Sequence, residues 1–473
     1  DSLSPKVGDV HSIEMLYLVP RVIMGLLAVL DTFLIYKIAE HRYSRNVAFV
    51  ASILFAVMPL SWMLRRVLLE SIQLPFILSS ILFLFYKRNL TVGDNNSIKD
   101  KNSNYHNNNL IIFTTILSGI FLGLAIFTKL PAFLMIPLVA YLVYTHSNNN
   151  NNHKNIKTLG LWFIPVILIP MIWPAYAIST GNFDEWLNGV LWQADRSTRS
   201  LSNAVEHLFK MDPLLLALAI AGIIYARLKK DYFLPLWIFP YLILLFLIDW
   251  VYFFHFIPIL PAFCIAAAVL LVDLARKSNK IKIKILKPLT FSAITAIIIF
   301  GFLNTTTLIT TNLNTTYFEL VSFINENLPN NPNPNSKNGY EQNVVLVGPN
   351  GAWTFFWILK YIFDKDVDFK WFELPKDYIG SITNEKFLLM ADREVRYGVY
   401  MGNSDDSHIN EIKKLYNHSN QLKVFPNTTI TYDLDKYPYN NILDDFYKLR
   451  DIIKTRGIDW SREIEVRGNY SIQ

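Results

Sequence analysis

Charge and cysteine are both scarce in this chain. Of 473 residues only 17% are charged, and Cys264 is the sole cysteine. Soluble globular chains carry about 25% charged residues, so a soluble fold is disfavoured from the start. One cysteine inside an apolar run excludes a disulfide framework within the chain. No HExxH, no paired CxxC, no carboxylate-rich metal motif and no Walker loop is present, so no metal or cofactor is called for. VGPNGA at 347–352 lacks the GxGxxG spacing and reads as an ordinary turn, and GNSDDSH at 402–408 reads as a solvated loop with a helix cap. Nothing points to a nucleic-acid partner. The chain opens on Asp1 with no initiator Met, no basic n-region and no apolar h-region, so a missing upstream segment is expected.

What the chain has in abundance is apolar sequence, 52% of residues. Ten apolar runs follow a polar start, at 16–38, 46–64, 68–86, 110–127, 131–144, 159–178, 213–226, 232–250, 256–275 and 288–304. An upright membrane helix needs about 20 apolar residues. The runs at 131–144 and 213–226 fall short and need polar ends drawn in or a thinned bilayer. One set of alternate loops holds eighteen Lys and Arg residues, the other seven. The positive-inside rule makes the first set cytoplasmic. Residues 1–15, the charged break near 65–70, Lys129, the loop 179–212 and the C-terminal region then face outward. Two Asn-rich tracts, 89–109 and 147–155, read as disordered cytoplasmic spacers.

From 305 onward composition changes. Short β-like runs at 343–348 and 386–390 alternate with helical patterns at 318–328, 352–364 and 408–417. These predict a small α/β domain. The expected fold is therefore an α-helical polytopic membrane protein of about ten spans with a small extracytoplasmic α/β domain. Its divisions are 1–15, the end of an outer loop; 16–304, the membrane domain; and 305–473, the outer domain.

Polar residues inside apolar runs carry the functional information, because each charge at mid-membrane costs about 2.5–3.5 kcal/mol on insertion scales. The segment 62–75, WMLRRVLLESIQLP, holds Arg65, Arg66 and Glu70. On a continuous helix Arg66 and Glu70 are neighbours at i,i+4, with Gln73 one turn further on the same face. Such a stripe is either an interfacial ion pair or a site for a phosphate-bearing lipid. Lys129, in FTKLP, is either a snorkelling cation or a phosphate contact. The outer loop pairs Trp186 and Trp192 with Asp195, Arg196 and Arg199, either an amphipathic interfacial helix without chemistry or one that walls a lipid-substrate cavity. His255 stands among aromatics in DWVYFFHFIPILP, a structural histidine or a substrate contact, and Arg21 lies near the start of the first span.

Over residues 12–275 the pattern resembles the GT-C membrane glycosyltransferases that use polyprenyl-phosphate sugars, among them protein O-mannosyltransferases and the lipid A aminoarabinose transferase. Arg21, Gly25, Tyr36, Ala51, Pro59 and Arg65 or Arg66 fit that family's spacing, and Glu70 stands where the family carries Asp. FTKLPAFLMIPLVAYLVY at 127–144 and FHFIPILPAFCIAAAVL at 254–270 match two further family segments. The Asn-rich loops suggest an archaeal member. The resemblance implies transfer of a hexose from a polyprenyl (dolichyl) phosphate carrier, with inversion, to a protein, lipid or glycan acceptor on the outer membrane face. It implies a catalytic carboxylate in a first outer loop, expected before residue 1, so no catalytic residue is assigned. Arg65 or Arg66 and Lys129 are expected to bind the phosphate, with Arg196 and His255 as further contacts. Glu70 is expected to orient the neighbouring arginine. Two alternatives are a non-catalytic scaffold subunit of the same fold, which the absent carboxylate motif favours, and a transporter or flippase.

Overall fold

The computed structural model describes residues 10–85, 101–146, 152–194, 201–248, 251–280, 286–310, 315–327, 344–348, 353–365, 367–371, 386–391, 407–425 and 464–469. The chain divides into two compact units, one made of residues 21–309 and 434–441, the other of 1–20, 310–433 and 442–473.

The larger unit is helical. Its elements are α1 (Val10–Arg42, from Arg21 on), α2 (Arg45–Val57), α3 (Leu69–Phe85), α4 (Lys101–Thr128), α5 (Ile136–His146), α6 (Asn152–Leu168) and α7 (Ile172–Ser179). There follow α8 (Phe183–Ala194), α9 (Leu201–Met211), α10 (Pro213–Leu228), α11 (Phe233–Leu247), α12 (Leu260–Lys280) and α13 (Leu286–Thr310). Three 3₁₀ turns interrupt the series, at Pro59–Arg65, Leu130–Met135 and Phe253–Ile259. Each contains a proline, which lacks the N–H that a continuing α-helix needs.

Among the described residues, four helices are long and apolar enough to cross a membrane: Val10–Arg42, Leu110–Thr128, Phe254–Ser278 and Pro288–Thr306. A fifth crossing results if α6 and α7, bent by 40°, form one span. The other apolar runs fold as shorter helices, including α2, α3, α10 and α11. Two of the expected uninterrupted runs, 46–64 and 131–144, instead combine a 3₁₀ turn with a short helix. The Asn tract 89–109 also departs from its reading as a spacer: from Lys101 on it is helical, as is 152–155 of the second tract. The adjoining apolar helices carry their hydrogen-bond ladders outward into these polar residues. The rest of both tracts lies outside the described residues.

Close packing in the helical unit rests on small residues. Gly119 and Gly123 of α4 lie one turn apart, and a Cβ on them would meet the Trp162 carbonyl at 2.5 Å and the Pro165 carbonyl at 2.6 Å on α6. A Cβ on Gly222 of α10 would strike the Ala266 carbonyl of α12. In a bilayer no hydrophobic force drives helices together, so backbone proximity of this kind is what dispersion and weak polar contacts exploit. At the loop end of α1, Arg42 donates to Asp231 at 2.7 Å and the Tyr43 hydroxyl donates to its other oxygen at 2.6 Å. Asp231 also accepts from the backbone N–H of Phe233, capping α11. Burial pushes the Tyr43 phenol well above its ordinary value, with the Asp231 charge adding to the shift.

The smaller unit is an α/β sandwich. Its five strands are β1 (Val344–Gly348), β2 (Val367–Trp371), β3 (Phe387–Ala391), β4 (Asn420–Phe425) and β5 (Ile464–Gly468), in the order β2-β1-β3-β5-β4. The first three are parallel, and β5 runs antiparallel to both its neighbours. The unit's helices are α14 (Thr315–Asn327), α15 (Trp353–Tyr361) and α16 (Ser407–Asn417). Alternate residues serve opposite faces. Leu346, Leu388 and Met390 pack on α14, α15 and Ile13, while Val345, Val347, Phe387 and Leu389 pack with Leu415 of α16. Helices cover both faces, as parallel strands require.

Gly222→Leu and Gly123→Leu are expected to destabilise the detergent-solubilised protein by about 1–3 kcal/mol through overpacking. Val29→Leu, on an exposed position of α1, is the control, with a change within about 0.5 kcal/mol. Thermal unfolding followed by circular dichroism reads both. In the same assay Tyr43→Phe should cost about 1 kcal/mol, the worth of one hydrogen bond. Asp231→Ala should cost more, about 2–3 kcal/mol, because it strands the half-buried Arg42.

Candidate functional site

Three chain breaks meet around the start of α3, and they bring together side chains far apart in sequence. α2 stops at Val57, Pro59 opens the first 3₁₀ turn, and the backbone then runs extended through Arg66 (φ −79, ψ 146) before α3 begins. Arg66 and Glu70 are therefore not one helical turn apart. This corrects the i,i+4 stripe expected from the sequence, and with it the pairing of Glu70 to the neighbouring arginine. Arg66 is exposed and lies over the Trp62 ring, 5.7 Å from its centroid.

Glu70 stands in the first turn of α3 and pairs instead with Lys129, which is 59 positions later. The positive end of the α3 dipole favours a carboxylate at this place. Glu70 is almost wholly shut off from solvent, its side chain 4% exposed, while Lys129 retains 24%. One turn further along α3, Gln73 fixes the position of the lysine. Its amide donates to the carbonyls of Ala125 at 3.0 Å and Lys129 at 2.5 Å. Those carbonyls, at the end of α4, also accept from the backbone N–H groups of Lys129 at 3.1 Å and Ala132 at 3.2 Å. Gln73 thus stitches the end of α4 to α3, and Lys129 leaves the helix with an extended backbone (φ −157, ψ 123) that projects its ammonium onto Glu70.

The third break supplies His255. The backbone N–H of Tyr252 donates to its Nδ1 at 3.1 Å. With Nδ1 accepting, the ring carries its proton on Nε2, which lies 3.8 Å from the same Glu70 oxygen that holds Lys129. The Phe254 ring stands against both groups, 5.7 Å from the lysine ammonium and 4.8 Å from the imidazole. The structure therefore gathers Glu70, Lys129 and His255, and adds Gln73 and Phe254. Arg66 sits apart on Trp62. Nothing is described of the Arg65 side chain, and Arg196 lies outside the described residues.

Two further buried acids did not stand out in the sequence. Asp212 accepts from Leu215 N–H at 2.9 Å, capping α10, and from Leu60 N–H at 3.5 Å, which ties the first 3₁₀ turn to that helix. A proline at the next position is the local signal for such a cap. Asp31, fully buried on α1, has neither carboxyl oxygen hydrogen-bonded among the described residues. No cluster of three His, Cys, Asp or Glu side chains suited to a metal occurs among the described residues. The chemistry open to the site is that of one ammonium with spare donors, a buried carboxylate that neutralises it at rest, a neutral imidazole and an aromatic wall. Such a site can receive an anion without holding a net charge when empty.

Comparison with known proteins agrees with this architecture. Residues 8–182 match the family of dolichyl-phosphate-mannose-protein mannosyltransferases. No curated protein matches in sequence. The oligosaccharyltransferase of Archaeoglobus fulgidus, solved tethered to an acceptor peptide containing an NVT sequon, superposes with a TM-score of 0.51 at 13% identity over 84% of this chain. The chain spans 60% of that protein's length. The same organism's oligosaccharyltransferase AglB, in complex with an inhibitory peptide and a dolichol-phosphate, gives 0.50 at 13% identity, covering 89% of this chain and 64% of its own. ArnT from Cupriavidus metallidurans, bound to undecaprenyl phosphate, gives 0.43 at 10% identity over 96% of this chain and 84% of its own. Residues 8–182 thus resemble the mannosyltransferase family, and the chain shares the fold of the oligosaccharyltransferase.

Proposed function

We propose that this chain transfers a hexose from a polyprenyl phosphate carrier to an acceptor at the outer face of the membrane, with Lys129 binding the carrier phosphate. The observation that carries the reading is the Glu70–Lys129 pair: a cation held at a helix break, beside an aromatic wall and an imidazole, in a chain that matches a dolichyl-phosphate-mannose-dependent family over 8–182. The dolichol-phosphate in the AglB structure supports a phospholipid donor for a shared fold. We take the short apolar helices together with the longer ones as ten crossings. The Lys and Arg bias then puts the site and the α/β unit outside.

Sugar transfer breaks the bond between the anomeric carbon and the carrier phosphate oxygen as an acceptor hydroxyl attacks. Charge grows on the departing phosphate, and cations placed there stabilise it more in the transition state than in the ground state. Lys129 fills that role, and Arg66, exposed above Trp62, is a second cation for the same phosphate. Phosphate leaves readily, so no general acid is required. The acceptor proton goes to a carboxylate on the face opposite the leaving group. Glu70, touching the phosphate-binding cation, stands on the leaving-group side and is not that base. The acceptor class, whether a protein hydroxyl, a lipid or a glycan, is read by groups other than these.

Membranes carrying the full chain, supplied with radiolabelled polyprenyl-phosphate mannose or glucose, should transfer label to an endogenous acceptor. Lys129→Ala should lower transfer by about 100-fold or more, the usual loss when a group that stabilises developing charge is removed. Because that change strands Glu70, the double variant Glu70→Gln/Lys129→Met is the control for folding. It should insert and unfold like wild type and still fail to transfer. Arg66→Ala is expected to weaken donor affinity about tenfold while leaving stability within about 0.5 kcal/mol, its side chain being exposed. If membranes transfer nothing across several donor sugars, the scaffold reading replaces this one. If the lysine variants transfer as wild type does, the pair is an interfacial anchor only.

A further inference from the structure

Three loop ends of the helical unit are tied together where α1 stops. Arg42 joins α1 to Asp231 beyond α10, Arg276 of α12 donates to the Ser44 hydroxyl at 3.0 Å, and Lys229 pairs with Asp273 of α12. The segments 37–45, 225–232 and 273–278 thereby form one surface. They hold eight Lys and Arg side chains against three carboxylates, Glu40, Asp231 and Asp273. Each carboxylate is already engaged: Glu40 by Lys37 and Arg45, Asp231 by Arg42, and Asp273 by Lys229 and Arg276. Arg227, Lys230 and Lys277 make no ion pair among the described residues, so the surface keeps a surplus of positive charge.

The surplus is concentrated between α10 and α12. Tyr225, one turn before Lys229, donates its hydroxyl to Asp273 at 2.8 Å. Its ring draws two ammoniums, Lys229 at 4.6 Å from the centroid and Lys277 at 5.1 Å. Two cations on one ring repel each other, and the Asp273 carboxylate, shared by Lys229 and Arg276, offsets only part of the charge. Lys229 and Arg276 both keep 51% of the side chain exposed, so their spare donors are within reach of a ligand. Lys230 adds to the cluster from a left-handed position (φ 59) that glycine adopts without steric cost. Beside these cations the surface turns apolar. Ile220, Ile224 and Leu228 follow at four-residue intervals along α10, Leu274 lies one turn before Lys277 on α12, and all four are exposed. Cations at the end of an exposed apolar stripe match a lipid with an anionic head. A soluble anion would use the cations and leave the stripe without a role.

We propose that the ends of α10 and α12 bind the phosphate of an anionic phospholipid, with Lys229, Arg276 and Lys277 around the phosphate and the acyl chains along Ile220, Ile224 and Leu228. Lys and Arg at the end of a membrane helix attract anionic headgroups, and basic pockets between such helices hold them. Asp273 and Tyr225 hold Lys229 in place beforehand, so less side-chain freedom is lost when the phosphate arrives. Lys277, which has a ring and no carboxylate to answer it, gains most from the phosphate. A zwitterionic lipid brings the same phosphate with a cation of its own, which these lysines repel. The two helices are the pair in which a Cβ on Gly222 would strike the Ala266 carbonyl, so the lipid fastens ends of helices already packed backbone to backbone. This site stands apart from the reading of Lys129 and survives its failure.

Native mass spectrometry of the full-length protein, delipidated in detergent, tests this with three probes: dioleoylphosphatidylglycerol, dioleoylphosphatidylcholine and glycerol phosphate. Wild type should bind phosphatidylglycerol about tenfold more tightly than phosphatidylcholine, and glycerol phosphate should not be retained. Lys277→Gln should weaken phosphatidylglycerol binding about fivefold, the worth of one cation at a membrane surface, and Lys277→Arg should restore it. Lys229→Gln/Lys277→Gln should weaken it about twentyfold. Lys157→Gln removes the same charge from an exposed position of α6 and should bind as wild type does. The ligand-free melting midpoint of Lys277→Gln should match wild type, since no ion pair is broken, while phosphatidylglycerol should raise the midpoint of wild type more than that of the variant. Equal binding of the two lipids by wild type would overturn the proposal whatever the variants do. So would equal losses in Lys157→Gln and Lys277→Gln, undiminished binding in Lys277→Gln, or a ligand-free midpoint that falls together with lipid binding. Retention of glycerol phosphate as strong as that of the lipid would make this a site for a soluble anion and overturn the lipid.

Discussion

A carboxylate taken out of water has to keep a positive partner within reach, and the arrangement around Glu70 follows from that requirement. The desolvation penalty for one such ion is several kcal/mol, and breaking a buried pair by removing one member costs about 3–5 kcal/mol. Lys129 must therefore be delivered accurately from an element that is distant in sequence. Gln73 does this by bonding the two carbonyls at the end of α4, so that the helix terminus and the lysine that follows it are located relative to α3. The pair is costly as a stability device; a matched pair of apolar residues would serve the fold as well. Its retention fits a site whose cation has to be available to something else.

The 3₁₀ turns are the second part of the same solution. Irregular backbone at membrane depth is tolerated where protein, rather than lipid, meets its polar groups. Each turn here has such partners. Asp212 accepts from Leu60 N–H in the first, Gln73 bonds the carbonyls at the start of the second, and Trp237 meets the Pro258 carbonyl in the third. The second and third breaks bring Lys129 and His255 to Glu70, which straight helices of uniformly apolar sequence would not do.

Much of the architecture was readable from composition and period. Apolar runs coincide with helices, and the short runs read beyond 305 fall close to β1, β3 and α14–α16. The strands β2, β4 and β5 escaped notice because Asp368, Lys370, Gln421, Lys423, Glu465 and Arg467 interrupt their apolar residues in short segments. Their alternation was the available signal. The residue types of the site were legible as charges where charge is expensive, but their pairing was not. No local pattern links Glu70 to a lysine 59 positions away, and the proline of the first 3₁₀ turn lies in a run too apolar to look like a break. The Gly119-xxx-Gly123 spacing, by contrast, is a helix-packing signal visible in the sequence itself.

Those glycines bear on how the fold persists while sequences drift. At the α4–α6 and α10–α12 seams the contact is between backbones, which are the same in every protein, and the only demand on sequence is that a few positions stay small. The lipid-facing surfaces demand only that residues be apolar, which dozens of combinations satisfy equally. A fold specified by so few exacting positions can lose nearly all its sequence identity without losing its shape. That is how a chain can overlay an oligosaccharyltransferase across most of its length while sharing 13% of its residues.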